Sequence, residues 1–102
     1  MTAEKWCELN IFEQMSNIAG EIKRYIDSRD SFARGETAKD YSGFYFDKAI
    51  NLIDMTAKDP KNSRRLAEFE DDKEELRQLK EGEVSDEYIM DYWNQYTMAL
   101  TM

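Results

Sequence analysis

Hydrophobic positions recur every three to four residues through four stretches of the chain, and a 3.6-residue rhythm of that kind predicts helices with one buried face. The first stretch, about Lys5 to Phe32, puts Ile11, Phe12, Met15, Ile18, Ala19, Ile22, Tyr25 and Ile26 on one face, with Glu13, Asn17, Arg24 and Ser28 opposite. Trp6 and Leu9 fall off that face, so either the helix begins after them or they pack against something the stripe does not touch. Gly35 offers a helix end and Thr37 an N-cap for a second helix, about Ala38 to Lys58. Its apolar face of Tyr41, Tyr45, Phe46, Ala49, Leu52, Ile53 and Thr56 is widened by Phe44, Ile50 and Met55, which predicts the most buried helix of the set. Asp40, Asp47, Asn51, Asp54 and Lys58 form its wet strip.

Asp59-Pro60 ends that helix, because the residue before a proline leaves the helical region and proline suits a first helical position. A third helix, about Lys61 to Lys80, carries only Leu66, Phe69, Leu76 and Leu79, with Asp72 and Lys73 where another apolar turn belongs; it is expected at the edge. Gly82 closes it. Ser85 caps the fourth, about Asp86 to Leu100, in which Tyr88, Ile89, Tyr92, Trp93, Tyr96, Ala99 and Leu100 keep helical spacing and Val84 is placed to staple against Ile89. The breaks are short, so neighbours in sequence should pack antiparallel in an all-α, four-helix up-down bundle.

Composition narrows the functional classes. At 102 residues the chain has room for one core and hence one domain, 41% apolar residues are enough to build it, and four Gly with one Pro leave few turns. A net charge of -8 repels phosphate backbones, which argues against general nucleic-acid or anionic-membrane binding. No apolar run approaches the roughly 20 residues that span a bilayer, and the start Met1-Thr2-Ala3-Glu4-Lys5 lacks a basic segment followed by an apolar one. With Cys7 the only cysteine and no internal disulfide to form, a cytoplasmic setting is expected. Cys7 itself is expected as a small buried hydrophobe, its pKa raised by Glu4 and Glu8.

The absence of histidine removes Ser-His and Cys-His nucleophiles, Cys/His zinc sites and the Glu-x-x-His pairs of di-iron bundles; no cofactor is expected. Carboxylates one helical turn apart remain. Glu68 with Asp71, Asp71 with Glu74, and Asp72 with Glu75 have the spacing by which helical pyrophosphatases of the MazG type hold magnesium, so a magnesium-dependent nucleotide phosphohydrolase is the alternative reading, with Glu68, Asp71, Asp72 and Glu75 as its metal set. It needs a second inward pair, whereas Glu13, Glu21, Asp47 and Asp54 face away from their own apolar stripes; a solvated acidic face is the ordinary reading of the run. Lys58, Lys61, Arg64 and Arg65 crowd the predicted start of the third helix, where cations oppose the dipole and an anion would relieve them. Phe44-Tyr45-Phe46 cannot all face one core and Trp93 sits at its stripe's margin; ordinary core packing is one reading of these aromatics, and a surface for a protein partner or a second copy in a homodimer is the other.

The segment Trp6-Cys7-Glu8-Leu9-Asn10-Ile11-Phe12-Glu13-Gln14-Met15-Ser16-Asn17-Ile18, followed by Glu21 and Arg24, resembles the start of a family of small helical proteins encoded by uncharacterised bacterial open reading frames. Lys48-Ala49-Ile50-Asn51-Leu52-Ile53-Asp54 and Asp59-Pro60-Lys61-Asn62 resemble the same family, which extends the likeness over most of the chain. It brings no activity, but it singles out Glu13, Asn17, Glu21 and Arg24, polar residues that recur in the pattern and would face a partner. A looser similarity, of fold only, is to HEPN-type four-helix proteins; their nuclease signature contains a histidine that this chain lacks, so that ribonuclease chemistry should be absent. The expected function is that of a small interaction or regulatory accessory protein working through a helix face, with Trp6, Glu13, Asn17, Glu21, Arg24, Phe44 and Trp93 as its contact residues.

Overall fold

The computed structural model describes residues 2–101, with side chains as far as Ala99, so the expected inward face of Leu100 lies outside the described residues. Five α-helices and one 3₁₀ segment follow in order: α1 (Ala3–Cys7), α2 (Ile11–Ala33), α3 (Ser42–Lys58), the 3₁₀ segment (Pro60–Arg65), α4 (Leu66–Lys80) and α5 (Asp86–Thr101). Among the described residues there is no strand. The four long helices form a ring in which each packs on its neighbour in sequence and α5 closes back on α2. That is the expected four-helix bundle, with α1 added across its α2–α3 side.

The first predicted stretch is two helices. Asn10, in extended backbone, ends the run from Ala3 and starts another: its Oδ1 accepts from Glu13 N at 2.9 Å, while Glu13 Oε1 accepts from Asn10 N at 3.1 Å. This reciprocal capping box satisfies donors that an uninterrupted helix would have spent on its own carbonyls. Asn10→Ala should therefore lower stability by about 1 kcal/mol, read as a shift of the urea midpoint.

Two of the later helices, α2 and α4, are followed by a glycine with positive φ, +75° at Gly35 and +77° at Gly82. At the first, Gly35 N donates to Phe32 O and Glu36 N to Ser31 O; at the second, Gly82 N donates to Leu79 O and Glu83 N to Gln78 O. This is the Schellman pairing, and it needs a left-handed residue between helix and loop. Open space surrounds a Cβ at Gly82, so Gly82→Ala should cost about 1 kcal/mol from backbone strain alone, again as a midpoint shift.

The start of α3 departs from the sequence expectation. Thr37 Oγ1 donates to Lys39 O and caps nothing, while Asp40 Oδ1 accepts from Ser42 N at 2.9 Å, so the helix opens at Ser42 and Tyr41 is left outside, 55% exposed. Nor is α3 the most buried helix. That place belongs to α2, which packs on both α3 and α5 and buries Met15, Ile18, Ala19, Ile22, Tyr25 and Ile26. Facing them are Phe46, Ala49 and Ile53 of α3, Phe69, Leu76 and Leu79 of α4, and Ile89, Trp93 and Tyr96 of α5. Leu66, expected in the third stripe, is exposed, because the 3₁₀ segment delays α4 and leaves it at the first, uncovered turn.

Candidate functional site

The expected contact surface is only partly on the surface. Trp6 and Trp93 are each 1% exposed and Glu21 is 6% exposed, so these three are interior residues. Trp93 is covered because α5 lies against α2, and Trp6 because the Asn10 break turns α1 over the end of the bundle. Glu13 is occupied in the capping box, and Asn17 Nδ2 donates to Glu13 O at 2.8 Å. Arg24 Nη1 donates to Glu21 Oε1, also at 2.8 Å. Phe44 alone behaves as an exposed aromatic anchor, 63% exposed and edge-on to Tyr45.

The basic cluster does not assemble either. Lys61 Nζ donates to Cys7 O and to Asp59 Oδ2, and Arg65 grips Glu68 from Nε at 2.9 Å and from Nη2 at 3.3 Å. Lys58 and Arg64 stand in solvent without such partners among the described residues, and the first turn of α4 begins after them. Cys7 is exposed, against expectation; partial desolvation and the nearby Asp59, rather than Glu4 and Glu8, push its thiol up.

Chemistry-bearing side chains gather between α4 and α5, around an open groove of about 760 Å³. Glu68, Asp71, Asp72 and Glu75 line it from α4; Tyr88, Asp91, Tyr92 and Gln95 line it from α5. Each set runs i, i+3, i+4, i+7, the spacing of a helix's buried seam. Two helices that would normally meet through apolar residues meet here through acids, phenols and an amide, and the groove is the result. The four carboxylates that the sequence offered as an alternative metal set all lie in it.

Glu68 anchors one end. Its Oε1 accepts from Tyr96 Oη at 2.8 Å and Tyr92 Oη at 3.0 Å, and the two phenols lie 3.2 Å apart. Burial opposes its ionisation, but the hydrogen bonds from Arg65, Tyr96 and Tyr92 outweigh that and hold its carboxyl below the ordinary range. Burial in turn pushes the Tyr92 and Tyr96 hydroxyls up. Further along, Tyr88 Oη donates to Glu75 Oε1 at 3.2 Å.

Asp72 is the exceptional group. It is 3% exposed, its Oδ2 has no hydrogen-bond partner, and burial, with the charges of Glu68, Glu75 and Asp71, pushes its carboxyl up to about 7, which the nearby Tyr92 hydroxyl only partly offsets. The adjacent Lys73 offers no relief, since its ammonium turns away to Asp54 and Glu70, both at 3.0 Å. The sequence marked Asp72 as an interruption of the third stripe and as one of the alternative metal carboxylates, but not as a buried acid. The signal for its setting was the matched i, i+3, i+4, i+7 series at 68–75 and 88–95, visible once α4 and α5 are taken as partners.

Among the described residues no three acidic or cysteine side chains are placed to hold one metal ion. The groove's carboxylates are spread along two turns instead, and Arg65 beside them is committed to Glu68. Such an arrangement can attract and orient extended positive charge. Among the described residues no helix is long and apolar enough to cross a membrane. In comparisons with protein-family models, curated proteins and solved structures the chain matches none, so of the likenesses suggested by its sequence the all-helical architecture is the part that stands.

Proposed function

We propose that this protein is a small binding module that takes a lysine- or arginine-bearing segment of a protein partner in the groove between α4 and α5. The observation that carries the reading is the charge of the seam: five carboxylates line it and no uncommitted cation does. An acidic cleft with low-dielectric walls concentrates positive ligands and speeds their capture. The rings of Tyr88 and Tyr92 add faces on which an ammonium or guanidinium can rest. A second copy is a poor occupant, since groove against groove would oppose five carboxylates to five. Phosphate esters are repelled unless magnesium arrives first, so the phosphohydrolase reading ranks second, supported by the gathering of Glu68, Asp71, Asp72 and Glu75 in one place.

Calorimetric titration with a short Lys/Arg-rich peptide and its uncharged counterpart separates these readings. The basic peptide should bind, the neutral one should not, and affinity should fall as salt rises. Asp71 and Asp91 are exposed and make no core contacts, so replacing both by Asn should leave the fold intact and weaken binding about tenfold, or about 1.4 kcal/mol. A basic peptide that fails to bind at low salt rejects the proposal. A melting temperature raised by nucleotide only in the presence of magnesium favours the second reading instead.

A further inference from the structure

A separate site lies in the seam between α2 and α3. Glu21 projects into it with its side chain 8% exposed; Oε1 accepts from Arg24 Nη1 at 2.8 Å and stands 3.3 Å from Lys48 Nζ, whereas Oε2 has no hydrogen-bond partner. A desolvated carboxylate oxygen left without a donor is costly, and native interiors rarely tolerate one unless something else supplies the donor. Beside Glu21 opens a pocket of about 310 Å³. Trp6, Leu52 and Met55 give it an apolar wall, and Asn17, Asn51 and Lys48 give it polar groups.

The hydrogen-bonding capacity of those polar groups is already divided. Asn17 spends one Nδ2 proton on Glu13 O, which leaves its other N–H and its Oδ1 free to meet a ligand. The Asn51 amide makes no hydrogen bond among the described residues, and the Lys48 ammonium has donors beyond the one directed at Glu21. The terminal torsion of a glutamate is broad, so the carboxylate can turn Oε2 toward a donor in the pocket while Oε1 keeps its cationic partners. One part of the site therefore asks for N–H donors, another for a negative oxygen, and the wall for hydrocarbon.

We propose that this pocket binds a small zwitterion with an apolar side chain, the chemistry of an apolar α-amino acid. Its ammonium completes the coordination of Glu21, its carboxylate meets Lys48, and its side chain lies on Trp6, Leu52 and Met55. The volume sits at the lower end of small-molecule pockets, about 300 Å³, which suits a single amino acid and not a nucleotide. The site is independent of the α4–α5 groove.

The test is calorimetric titration of the full chain with L-leucine, L-methionine and L-phenylalanine, beside isopentylamine, which lacks the carboxylate, and 4-methylpentanoate, which lacks the ammonium. At least one amino acid should bind saturably, with the amine and the acid each about tenfold weaker or worse. Glu21→Gln keeps the shape and should lose about tenfold; Lys48→Met, at a half-exposed position that leaves the core alone, should lose a similar factor and checks the result should Glu21→Gln disturb folding. No saturable binding of any of the three amino acids overturns the proposal. So does an amine or acid that binds as tightly as the zwitterion, or binding that both variants leave unchanged.

Discussion

Trp6→Ala is expected to destabilise the protein by about 3 to 5 kcal/mol, because it empties one of the two largest buried side chains and unties α1 as well. Five residues of helix cannot hold themselves together in water, so α1 stays where it is through what it buries. The indole Nε1 donates to Thr56 Oγ1 at 2.9 Å, and the Trp6 carbonyl accepts from Gln14 Nε2 at 3.0 Å. Gln14 also donates to Asp59 Oδ2 and accepts from Asn62 Nδ2, both at 2.9 Å, while Asn62 donates to Thr56 O at 3.0 Å. A closed polar network thus joins α1, α2, α3 and the 3₁₀ segment behind one ring. Losing the ring admits water to a set of buried groups that are otherwise fully paired. Trp6→Phe keeps most of the volume and removes only the N–H, so it should cost less than half as much. Urea denaturation followed by circular dichroism reads both. A Trp6→Ala loss below about 1 kcal/mol would mean that α1 lies outside the cooperative core.

The network also shows where the sequence stopped being informative. The helical rhythm of α2 and α5 was legible because most of their buried residues are apolar and evenly spaced. Gln14, Thr56, Asp59 and Asn62 are polar and buried, and nothing in a one-dimensional pattern says that four such residues, up to 48 positions apart, will pair with one another. The Asn10–Glu13 box was present in the sequence as a cap signature, yet it was masked by a hydrophobic stripe that runs past it. Gly35 and Gly82 were legible because a left-handed helix end demands them. Thr37 reads as a cap in the sequence, but α3 opens later, at Ser42, because the Asp40 carboxylate takes the Ser42 amide and hydroxyl.

The candidate site was half legible for a related reason. Glu68, Asp71, Asp72 and Glu75 stood out as a group from spacing alone, whereas Trp93 looked marginal on its own helix and proved buried once α2 covered it. Spacing identifies residues that share a helix face. Only the ring order of the helices decides whether that face meets solvent, a core or another polar face, and for 68–75 it is the last, opposite Tyr88, Asp91, Tyr92 and Gln95.

Asp72→Asn should make the protein more stable at pH 8, by about 1 to 3 kcal/mol, and should flatten a pH dependence that the unmodified chain shows between about pH 4 and pH 7. The folded-state carboxyl titrates at about 7 against an ordinary 3.8, so within that window the folded chain holds a proton that the unfolded chain has released. Folding is then favoured at the acid end, and the contribution is lost as pH rises through 7. Groups held in the opposite sense, Glu68 and Asp59, lose their contribution only as pH falls below the ordinary carboxylate range, so the two effects occupy separate windows. The open mouth of the groove screens part of the penalty, which keeps the expected size below the full shift. Urea midpoints of both proteins at pH 5, 6, 7 and 8 test the sign: the unmodified chain should weaken toward pH 8 while Asp72→Asn stays level. Parallel profiles would mean that Asp72 titrates as an ordinary surface acid. A bound basic peptide supplies the positive charge that ionised Asp72 lacks, so its affinity should rise across the same window, and that rise should vanish in Asp72→Asn. The buried carboxyl thereby links the stability of the α4–α5 seam to its occupancy.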